Sequence, residues 1–254
     1  MSASPPIISI ITVTYNSAAT IADTLQSVAE QDYPYIEHIV IDGASKDNTL
    51  AIAKQYNHVA KIVSERDKGI YDAMNKGIAL ASGEWIGILN SDDVFATPQT
   101  ISSVVSFIQQ HPDVAAVYGN IVYFRTENPA KVVRYWKTKP YYPAFFEHGN
   151  VPPHPALFVS KKVYTEIGLY YPDFKICSDY EFMFRMMKVH GYKSRFLDQT
   201  IVRMRLGGIS TEGLHSYWTT TKELKSAWNM NGFAYPMALY VIRPVKKILQ
   251  LLLK

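Results

Sequence analysis

Residues 85–93 have the sequence Trp85-Ile86-Gly87-Ile88-Leu89-Asn90-Ser91-Asp92-Asp93. The first five residues are apolar and predict a buried strand. Two carboxylates follow it directly, and adjacent carboxylates repel each other unless a cation or a ligand lies between them. Open α/β sheets bind ligands at such strand ends, and Mg²⁺ or Mn²⁺ takes oxygen ligands that it commonly shares with substrate phosphates. The stretch therefore predicts a metal-assisted reaction on a phosphorylated substrate, with a nucleotide as the first choice.

Strands and helices alternate along the first half of the chain, which is typical of a mostly parallel sheet covered by helices on both faces. Helix starts are predicted at Ser17, Ser45 and Thr97-Pro98. Runs of apolar, β-branched residues predict strands at Ile7–Val13, Ile36–Ile41, Ala60–Val63 and Trp85–Leu89, followed by paired strands at Val114–Phe124 and Lys131–Trp136.

The second half is less regular. Residues 141–155 are rich in proline, aromatic residues and histidine, which predicts a loop that lines a site. A helix is predicted to begin at Ser178-Asp179-Tyr180-Glu181, where the Ser-x-x-Glu spacing has the form of a capping box. A strand is predicted at Ser194–Arg205, and the chain from residue 213 onward is predicted to be helical.

Composition limits the class of protein. At 254 residues and 48% hydrophobic content, the chain can bury the core of one large domain. Its single cysteine, Cys177, excludes an intramolecular disulfide and is typical of a reducing compartment. Met1–Pro6 lacks a signal-peptide pattern, and no apolar run reaches the ~20 residues of a spanning helix. We therefore expect a cytoplasmic protein, and the net charge of +4 gives no reason to expect a nucleic-acid partner.

Three motifs occur in order and at characteristic separations, at Ile8–Asn16, Ile41–Thr49 and Asn90–Asp93. Together they resemble the family 2 glycosyltransferases, which have the GT-A fold and use nucleotide-sugar donors. The sequence Glu65–Gly77 resembles a bacterial branch that builds exopolysaccharide and O-antigen units. The resemblance covers about residues 7–210. It implies an α/β fold with a Rossmann-like, mostly parallel central sheet flanked by helices.

The resemblance also implies a division of the chain. Residues 1–6 are expected to be a disordered N-terminus. Residues 7–210 would form the glycosyltransferase domain, with a nucleotide-sugar-binding half at 7–125 and an acceptor-binding half at 126–210. Residues 211–254 would form a helical C-terminal extension.

Metal ligands are expected at the end of the fourth strand. In the resemblance Asp93 is the metal-ligating carboxylate, and Asp92 faces the ribose and the metal. The ion would be Mn²⁺ or Mg²⁺, which would stabilise the leaving diphosphate as a Lewis acid. His215 is a further candidate ligand. The alternative is that the two acids only form a turn after the strand.

Donor contacts are expected at the ends of the first two strands and before the third helix. Asp42 would accept the uracil N3–H, although a turn formed with Gly43 also explains it. Lys68 would contact the pyrophosphate, although a charged segment before a helix is also typical of a solvated helix start. The donor-binding residues implied are Thr14, Asn16, Asp42, Lys68, Asp72, Asn75, Ser91 and Asp92.

Asp179 is the candidate general base. In an inverting transfer the acceptor hydroxyl needs a carboxylate within hydrogen-bond reach to take its proton. A first-turn acid is also explained by the helix dipole, and the resemblance favours the base, since the family carries its base aspartate at a helix start here. His154 is either an acceptor contact or a structural hydrogen bonder. Gly207-Gly208-Ile209-Ser210 matches a small motif whose N–H groups could approach phosphate.

The implied reaction is an inverting, metal-dependent transfer from a nucleotide sugar, with a UDP-sugar favoured, to a carbohydrate or polyprenyl-linked saccharide. A nucleotidyltransferase is one alternative, but it would carry a glycine-rich loop after the first strand, where Tyr15-Asn16-Ser17-Ala18 has no glycine. A non-catalytic sugar-nucleotide-binding subunit is another. A NAD-dependent dehydrogenase is excluded, because no G-x-G-x-x-G motif opens the first helix.

The C-terminus predicts an amphipathic helix that is too short to span a bilayer. It would lie peripherally on the cytoplasmic face of the inner membrane, where a polyprenyl-linked acceptor would be, or else dock on the protein's own core or a dimer partner. Its apolar side carries Ile248, Leu249, Leu251, Leu252 and Leu253, and its polar side carries Lys246, Lys247, Gln250 and Lys254.

Overall fold

The computed structural model describes residues 4–206 and 213–252, with the side chains of 213–217 and 247–252 excepted. The strands are β1 Ile8–Thr14, β2 Ile36–Asp42, β3 Val59–Ser64, β4 Trp85–Ile88, β5 Val94–Phe95, β6 Ala116–Arg125, β7 Asn128–Trp136, β8 Leu157–Ser160 and β9 Ser194–Arg205. The helices are α1 Ile21–Ala29, α2 Thr49–Ala53, α3 Ile70–Leu80, α4 Thr100–Gln110, α5 Lys161–Ile167, α6 Ser178–Phe184, α7 Gly213–Met230 and α8 Leu239–Leu252.

Within the described residues the strands form one nine-stranded sheet in the order β3-β2-β1-β4-β8-β6-β9-β5, and β7 pairs with β6. The first four strands of this order are parallel to one another. β8 is antiparallel to both of its neighbours, β4 and β6. The predicted α/β sheet is therefore confirmed, and its continuous parallel part belongs to the first half of the chain.

Alternation along β1 explains how helices cover both faces of the sheet. All seven residues of this strand are buried, as expected for a central parallel strand. Ile11 belongs to a cluster with Met74 of α3, whereas Ile10 belongs to a cluster with Val104 of α4. At Gly77 in α3, an added Cβ would lie 2.4 Å from Ile11 Cγ2, so the helix packs directly on the strand.

Three predicted helix starts are wrong by three or four residues, and the serines expected to cap two of these helices are engaged elsewhere. α1 begins at Ile21 rather than near Ser17, whose hydroxyl accepts a hydrogen bond from Ser91 Oγ at 2.8 Å. α2 begins at Thr49, because the hydroxyl of Ser45 is bonded to Asp42. α4 begins at Thr100, not at Thr97-Pro98.

The predicted capping box at the start of α6 is also wrong. Glu181 is fully buried, and it accepts hydrogen bonds from Arg185 Nε at 3.0 Å and from Asn231 Nδ2 at 3.0 Å. Its carboxylate therefore ties α6 to the end of α7 and does not bond to the N–H of Ser178. Asp179 is the second residue of α6. The predicted loop at 141–155 contains turns and ends in a single 3₁₀ turn, His154–Ala156.

The predicted C-terminal extension packs on the rest of the chain, and Leu224, Ala227, Trp228 and Leu239 belong to its main buried core. Trp228 of α7 lies 4.6 Å from the ring of Phe184 and donates a hydrogen bond to the Tyr180 hydroxyl at 2.9 Å. In α8, Lys246 Nζ donates to the His148 carbonyl at 2.6 Å, so this part of the predicted polar side is docked on the chain itself. Among the described helices, none is both long and apolar enough to cross a membrane.

Candidate active site

The carboxyl ends of β1, β2 and β4 meet at one edge of the sheet, because these strands are parallel. Thr14 is paired with Asp42 in the register of β1 and β2. The loops that follow β1 and β4 touch through the hydrogen bond from Ser91 Oγ to Ser17 Oγ at 2.8 Å. The structure therefore brings the predicted donor residues of the first, second and fourth strands to the same edge.

Asp42 is fully buried at this edge, and serines hold its carboxylate. It accepts hydrogen bonds from the N–H of Ser45 at 3.1 Å, from the Ser45 hydroxyl, and from Ser64 Oγ at 2.6 Å. The hydroxyl of Thr14 is buried without a hydrogen-bond partner among the described residues. The edge thus offers a buried carboxylate and a buried hydroxyl side by side.

Because Gly43 has no side chain, Asp67 and Tyr15 can lie close to the loop that follows Asp42. An added Cβ there would lie 3.0 Å from Asp67 Oδ2 and 3.3 Å from Tyr15 Cδ2. The ring of Tyr15 is 60% exposed. Sequence reasoning did not single out Tyr15, although an aromatic residue directly after a buried strand is a signal for a stacking platform at a ligand edge.

Two residues at the strand ends have left-handed backbone conformations, which is uncommon for non-glycine residues. These are Asn16, with φ 51°, and Ala44, with φ 60°. Asn16 Oδ1 accepts a hydrogen bond from the N–H of Lys46 at 2.8 Å, and the N–H of Asn16 donates to Ser45 Oγ at 2.8 Å. The predicted base-flanking residue Asn16 therefore also ties the loop after β1 to the loop after β2.

The carboxylates after β4 differ in their surroundings. Asp93 is fully buried and accepts a hydrogen bond from Asn90 Nδ2 at 3.1 Å, while its Oδ1 has no hydrogen-bond partner among the described residues. Burial, and then the charge of Asp92, raise the pKa of Asp93 well above its usual range. Burial also raises the pKa of Asp92, which is partly exposed.

This pair fits a divalent cation. Two adjacent carboxyl groups with raised pKa values favour either a bound proton or a bound cation, and one of their oxygens is already without a partner. No group of three or more histidine, cysteine or acidic residues suited to a metal occurs in the described part of the chain. Mg²⁺, however, commonly binds through one or two carboxylates together with substrate phosphates. The side chain of His215 and the motif Gly207–Ser210 lie outside the described residues.

The segment before α3 is held by charged and polar contacts. Asp72 Oδ2 accepts a hydrogen bond from the N–H of Lys68 at 3.0 Å, which lowers the pKa of Asp72. Lys76 Nζ lies 2.6 Å from Asp67 Oδ1 and 2.8 Å from Glu65 Oε1. The side chain of Lys68 is exposed. Asp72 thus holds the backbone that leads into α3, and both Lys68 and Arg66 of this segment are exposed cations.

Asn75 connects α3 to the second half of the chain. Its Nδ2 donates to the carbonyl of Tyr170 at 2.8 Å, and its Oδ1 accepts from the N–H of Tyr170 at 3.0 Å. His154 Nε2 lies 3.3 Å from the Tyr170 hydroxyl, and His154 is 8% exposed. Burial lowers the pKa of His154, and the negative charge of Asp179 opposes that shift. The structure therefore places His154 against Tyr170, where it is largely enclosed.

Asp179 lies partly exposed at the start of α6. Its Oδ1 is 3.0 Å from the Tyr71 hydroxyl, which is also 2.5 Å from the carbonyl oxygen of Ile176. Burial raises the pKa of the neighbouring Cys177 thiol, as does the charge of Asp179, so Cys177 is a buried thiol and not a nucleophile. Sequence reasoning missed the role of Tyr71, because the contact joins residues that are 108 positions apart.

Glu223 of α7 supports the same segment. Its carboxylate accepts hydrogen bonds from three successive N–H groups, those of Lys175 at 2.8 Å, Ile176 at 2.9 Å and Cys177 at 2.9 Å. The C-terminal extension therefore holds the entrance to α6. A cavity of about 300 Å³ lies elsewhere, between α1 and β5, and contains none of the predicted site residues.

A chain of direct contacts connects the two ends of the candidate site. Gly43, next to Asp42, adjoins Asp67, and Asp67 pairs with Lys76 of α3. The same helix carries Tyr71, which contacts Asp179. Asp42 at the end of β2 and Asp179 at the start of α6 are thereby connected through α3.

Comparison with known proteins identifies the family. The model of glycosyl transferase family 2 matches residues 9–167. The PGL/p-HBAD biosynthesis glycosyltransferase of Mycobacterium tuberculosis is 30% identical over 210 residues, which are 81% of this chain and 79% of the relative. An uncharacterized glycosyltransferase of the same species is 36% identical over 185 residues, which are 72% of this chain and 69% of the relative.

Two solved structures share the fold. S. aureus TarS 1-349 in complex with UDP-GlcNAc superposes with a TM-score of 0.64 at 21% identity, covering 83% of this chain, which spans 60% of that one. The mannosyltransferase PcManGT of Pyrobaculum calidifontis, in complex with GDP-Man and Mn²⁺, gives a TM-score of 0.65 at 19% identity and covers 94% of this chain and 68% of its own. These likenesses confirm the predicted GT-A fold. With the family match over residues 9–167 and relatives of 30% and 36% identity, the chain belongs to glycosyl transferase family 2.

Proposed function

We propose that the protein transfers a sugar from a nucleotide-sugar donor to a saccharide or polyprenyl-linked saccharide acceptor, with inversion at the anomeric carbon. This proposal rests on the presence of carboxylates at two separate places in one family 2 fold. Asp92 and Asp93 lie at the end of β4, and Asp179 lies at the start of α6 in contact with α3.

The donor half is proposed to bind a UDP-sugar at the edge formed by β1, β2 and β4. Thr14 and Asp42 supply the buried polar groups for the base, and the exposed ring of Tyr15 supplies a stacking surface. Lys68 supplies an exposed cation for the pyrophosphate, while Asn16, Asp72, Asn75 and Ser91 shape the pocket through the contacts described above. The UDP-GlcNAc complex of TarS supports a uridine donor, whereas the GDP-Man complex of PcManGT makes guanosine the alternative.

Asp92 and Asp93 are proposed to hold Mn²⁺ or Mg²⁺. The unpaired Oδ1 of Asp93 and the raised pKa values of both carboxyl groups support this assignment. When bound, the ion supplies charge neutralisation to the diphosphate leaving group. The Mn²⁺ in the PcManGT structure supports the same proposal.

Asp179 is proposed to be the general base. The acceptor oxygen forms a bond to the anomeric carbon, and its proton moves to the Asp179 carboxylate. The bond from the anomeric carbon to the diphosphate breaks, and its electron pair leaves with the diphosphate. His154 is proposed to support the acceptor side of the site, where residues 126–210 supply the walls.

The acceptor is proposed to be presented at a membrane surface during the synthesis of cell-surface polysaccharide such as exopolysaccharide or O-antigen. Met237, Val241 and Val245, which recur at a spacing of four residues, are 78%, 67% and 47% exposed. Val241 and Val245 therefore lie on one side of α8, and Met237 lies in the turn that precedes this helix. An exposed apolar helix side is typical of a helix that lies in a membrane interface, which supports a peripheral location on the cytoplasmic face.

The test is calorimetric binding of UDP, GDP, CDP and dTDP, each with and without Mn²⁺. Tight binding of one diphosphate that depends on Mn²⁺ is expected, with UDP as the first choice. Absence of binding by all four would contradict the donor site. Release of UDP from UDP-GlcNAc, UDP-glucose and UDP-galactose, with water as acceptor, then measures turnover, and Asp179→Asn should keep UDP affinity while losing turnover.

A further inference from the structure

The Tyr71 hydroxyl lies between two oxygen acceptors. Its oxygen is 2.5 Å from the carbonyl oxygen of Ile176 and 3.0 Å from Oδ1 of Asp179. Tyr71 is 5% exposed and belongs to α3, whereas both acceptors belong to the entrance of α6. This hydroxyl therefore forms a polar junction between the donor half and the proposed base.

A phenol hydroxyl has one hydrogen, so it can be directed fully at one of these acceptors at a time. A charged carboxylate is the stronger acceptor, because charge-assisted hydrogen bonds are roughly twice as strong as neutral ones. Once the carboxyl group is protonated, the Ile176 carbonyl becomes the better partner. Burial, and then the charge of Asp179, raise the pKa of Tyr71 well above its usual value, so the phenol keeps its hydrogen at neutral pH.

We propose that Tyr71 is a positioning residue for Asp179, one that holds Oδ1 of the base and leaves Oδ2 directed at the acceptor. This inference rests on the proposed function, in which Asp179 takes the acceptor proton. As the new bond to the anomeric carbon forms and the diphosphate leaves with its electron pair, the acceptor proton moves to Oδ2. The hydrogen of Tyr71 then turns to the Ile176 carbonyl, and the phenol neither gains nor loses a proton. The phenol thus keeps a hydrogen-bond acceptor in both protonation states of the base without movement of heavy atoms.

A purely structural role would have a different signature. If the hydroxyl only tied α3 to α6, its removal would lower stability and donor affinity together. A positioning role lowers kcat and leaves donor binding unchanged, because the hydroxyl acts on the base and not on the nucleotide.

Tyr71→Phe is the test, and Tyr118→Phe is its matched control. The Tyr118 hydroxyl is also buried and donates to a backbone carbonyl, that of Lys139, at 3.0 Å. With the UDP-sugar that the wild type hydrolyses fastest among UDP-GlcNAc, UDP-glucose and UDP-galactose, Tyr71→Phe should lower kcat about 10- to 100-fold. Its UDP affinity and donor KM should stay within about twofold of wild type, and Tyr118→Phe should leave kcat within about twofold.

A loss of kcat in Tyr71→Phe no larger than in Tyr118→Phe would overturn the inference, and so would a loss of UDP affinity that parallels a fall in Tm. In the double variant with Asp179→Asn, kcat should be no lower than in Asp179→Asn alone, and a further loss would also count against it. The two failures are distinguishable. If Asp179→Asn turns over at the wild-type rate, Asp179 is not the general base and this inference fails with it. If Asp179→Asn is inactive and Tyr71→Phe is unaffected, only this inference fails.

Discussion

Glu223 of α7 accepts a hydrogen bond from the N–H of Cys177 at 2.9 Å, two residues before the proposed base. The same carboxylate binds the N–H groups of Lys175 and Ile176. The C-terminal extension is therefore part of the support of the site, and its removal would leave three N–H groups at the entrance to α6 without their acceptor.

Glu223→Ala should lower both the free energy of unfolding and the turnover, because three backbone donors lose a charged acceptor. The expected destabilisation is about 2 kcal/mol, measured by urea unfolding. Glu223→Gln keeps one acceptor oxygen and should lie between Glu223→Ala and wild type. Lys222→Ala, at the exposed neighbouring position, is the control, and an equal loss in that variant would contradict the role of Glu223.

Asp93→Asn should abolish the stabilisation that Mn²⁺ and UDP together confer on the wild type. Burial and Asp92 raise the pKa of Asp93 in the folded state. Without a cation, the stability that this group contributes is therefore fully present below its unfolded pKa and is lost as pH rises through the folded pKa. The isosteric amide removes the charge, so Asp93→Asn should be at least as stable as wild type at pH 7 in the absence of metal. Thermal unfolding with and without Mn²⁺ and UDP checks this, and an unchanged ligand-induced rise in Tm would exclude Asp93 as a metal ligand.

His38 should make the protein sensitive to acid. It is fully buried in β2, with Nε2 3.0 Å from Thr12 Oγ1 and Nδ1 3.0 Å from His58 Nε2. Burial, and then His58, lower the pKa of His38 to about 3. Its contribution to stability is therefore complete above the unfolded pKa of about 6.5 and is lost as pH falls from there toward 3, by about 1.4 kcal/mol per pH unit.

His38→Gln retains hydrogen-bonding groups and cannot titrate. The free energy of unfolding of this variant should fall less steeply between pH 6.5 and pH 5 than that of the wild type. Parallel urea titrations at the two pH values give the comparison, and identical slopes would show that His38 is not the group responsible.

Val241→Glu should weaken binding to anionic phospholipid vesicles. It places a charge on the exposed side of α8 that carries Val241 and Val245, next to exposed Met237 of the preceding turn. The loss of one buried apolar side chain corresponds to about a tenfold fall in vesicle affinity. Flotation with vesicles of mixed neutral and anionic lipid measures it. Met230→Glu, at an exposed position at the end of α7, is the control, and equal binding by all three proteins would indicate that this side of α8 meets something other than lipid.

The strand pattern could be predicted from the sequence because central strands are buried on both faces. Ile8–Thr14 is almost entirely apolar and β-branched, and Ile36–Asp42 contains the apolar run Ile39-Val40-Ile41; both patterns predict buried strands. Helix starts were less predictable. The hydroxyls of Ser17 and Ser45 are drawn into contacts across the loops, with Ser91 and Asp42, and these partners are distant in sequence or lie outside the helix.

The candidate site could be predicted only in part, for a similar reason. Motifs mark residues that follow strands, so Asp42 and Asp92 were found at the expected edge. The contact of Asp179 with Tyr71 joins residues 108 positions apart, and that of Cys177 with Glu223 joins residues 46 positions apart. No local spacing in the sequence predicts either contact. The full burial of Asp93 was also unforeseen, as was the hydrogen bond from Thr24 of α1 to the Asp93 carbonyl at 2.7 Å, which joins residues 69 positions apart.

The direct packing of Gly77 on Ile11 fixes the position of α3 against β1. One end of α3 packs on the strand that leads to the proposed donor edge, and its other end carries Tyr71, which contacts the proposed base Asp179. On the proposed assignment, substitutions in the loops after β1 and β2 should change the preferred nucleotide or sugar while the contact between Tyr71 and Asp179 is kept. Donor preference and the position of the proposed base would then vary independently of each other.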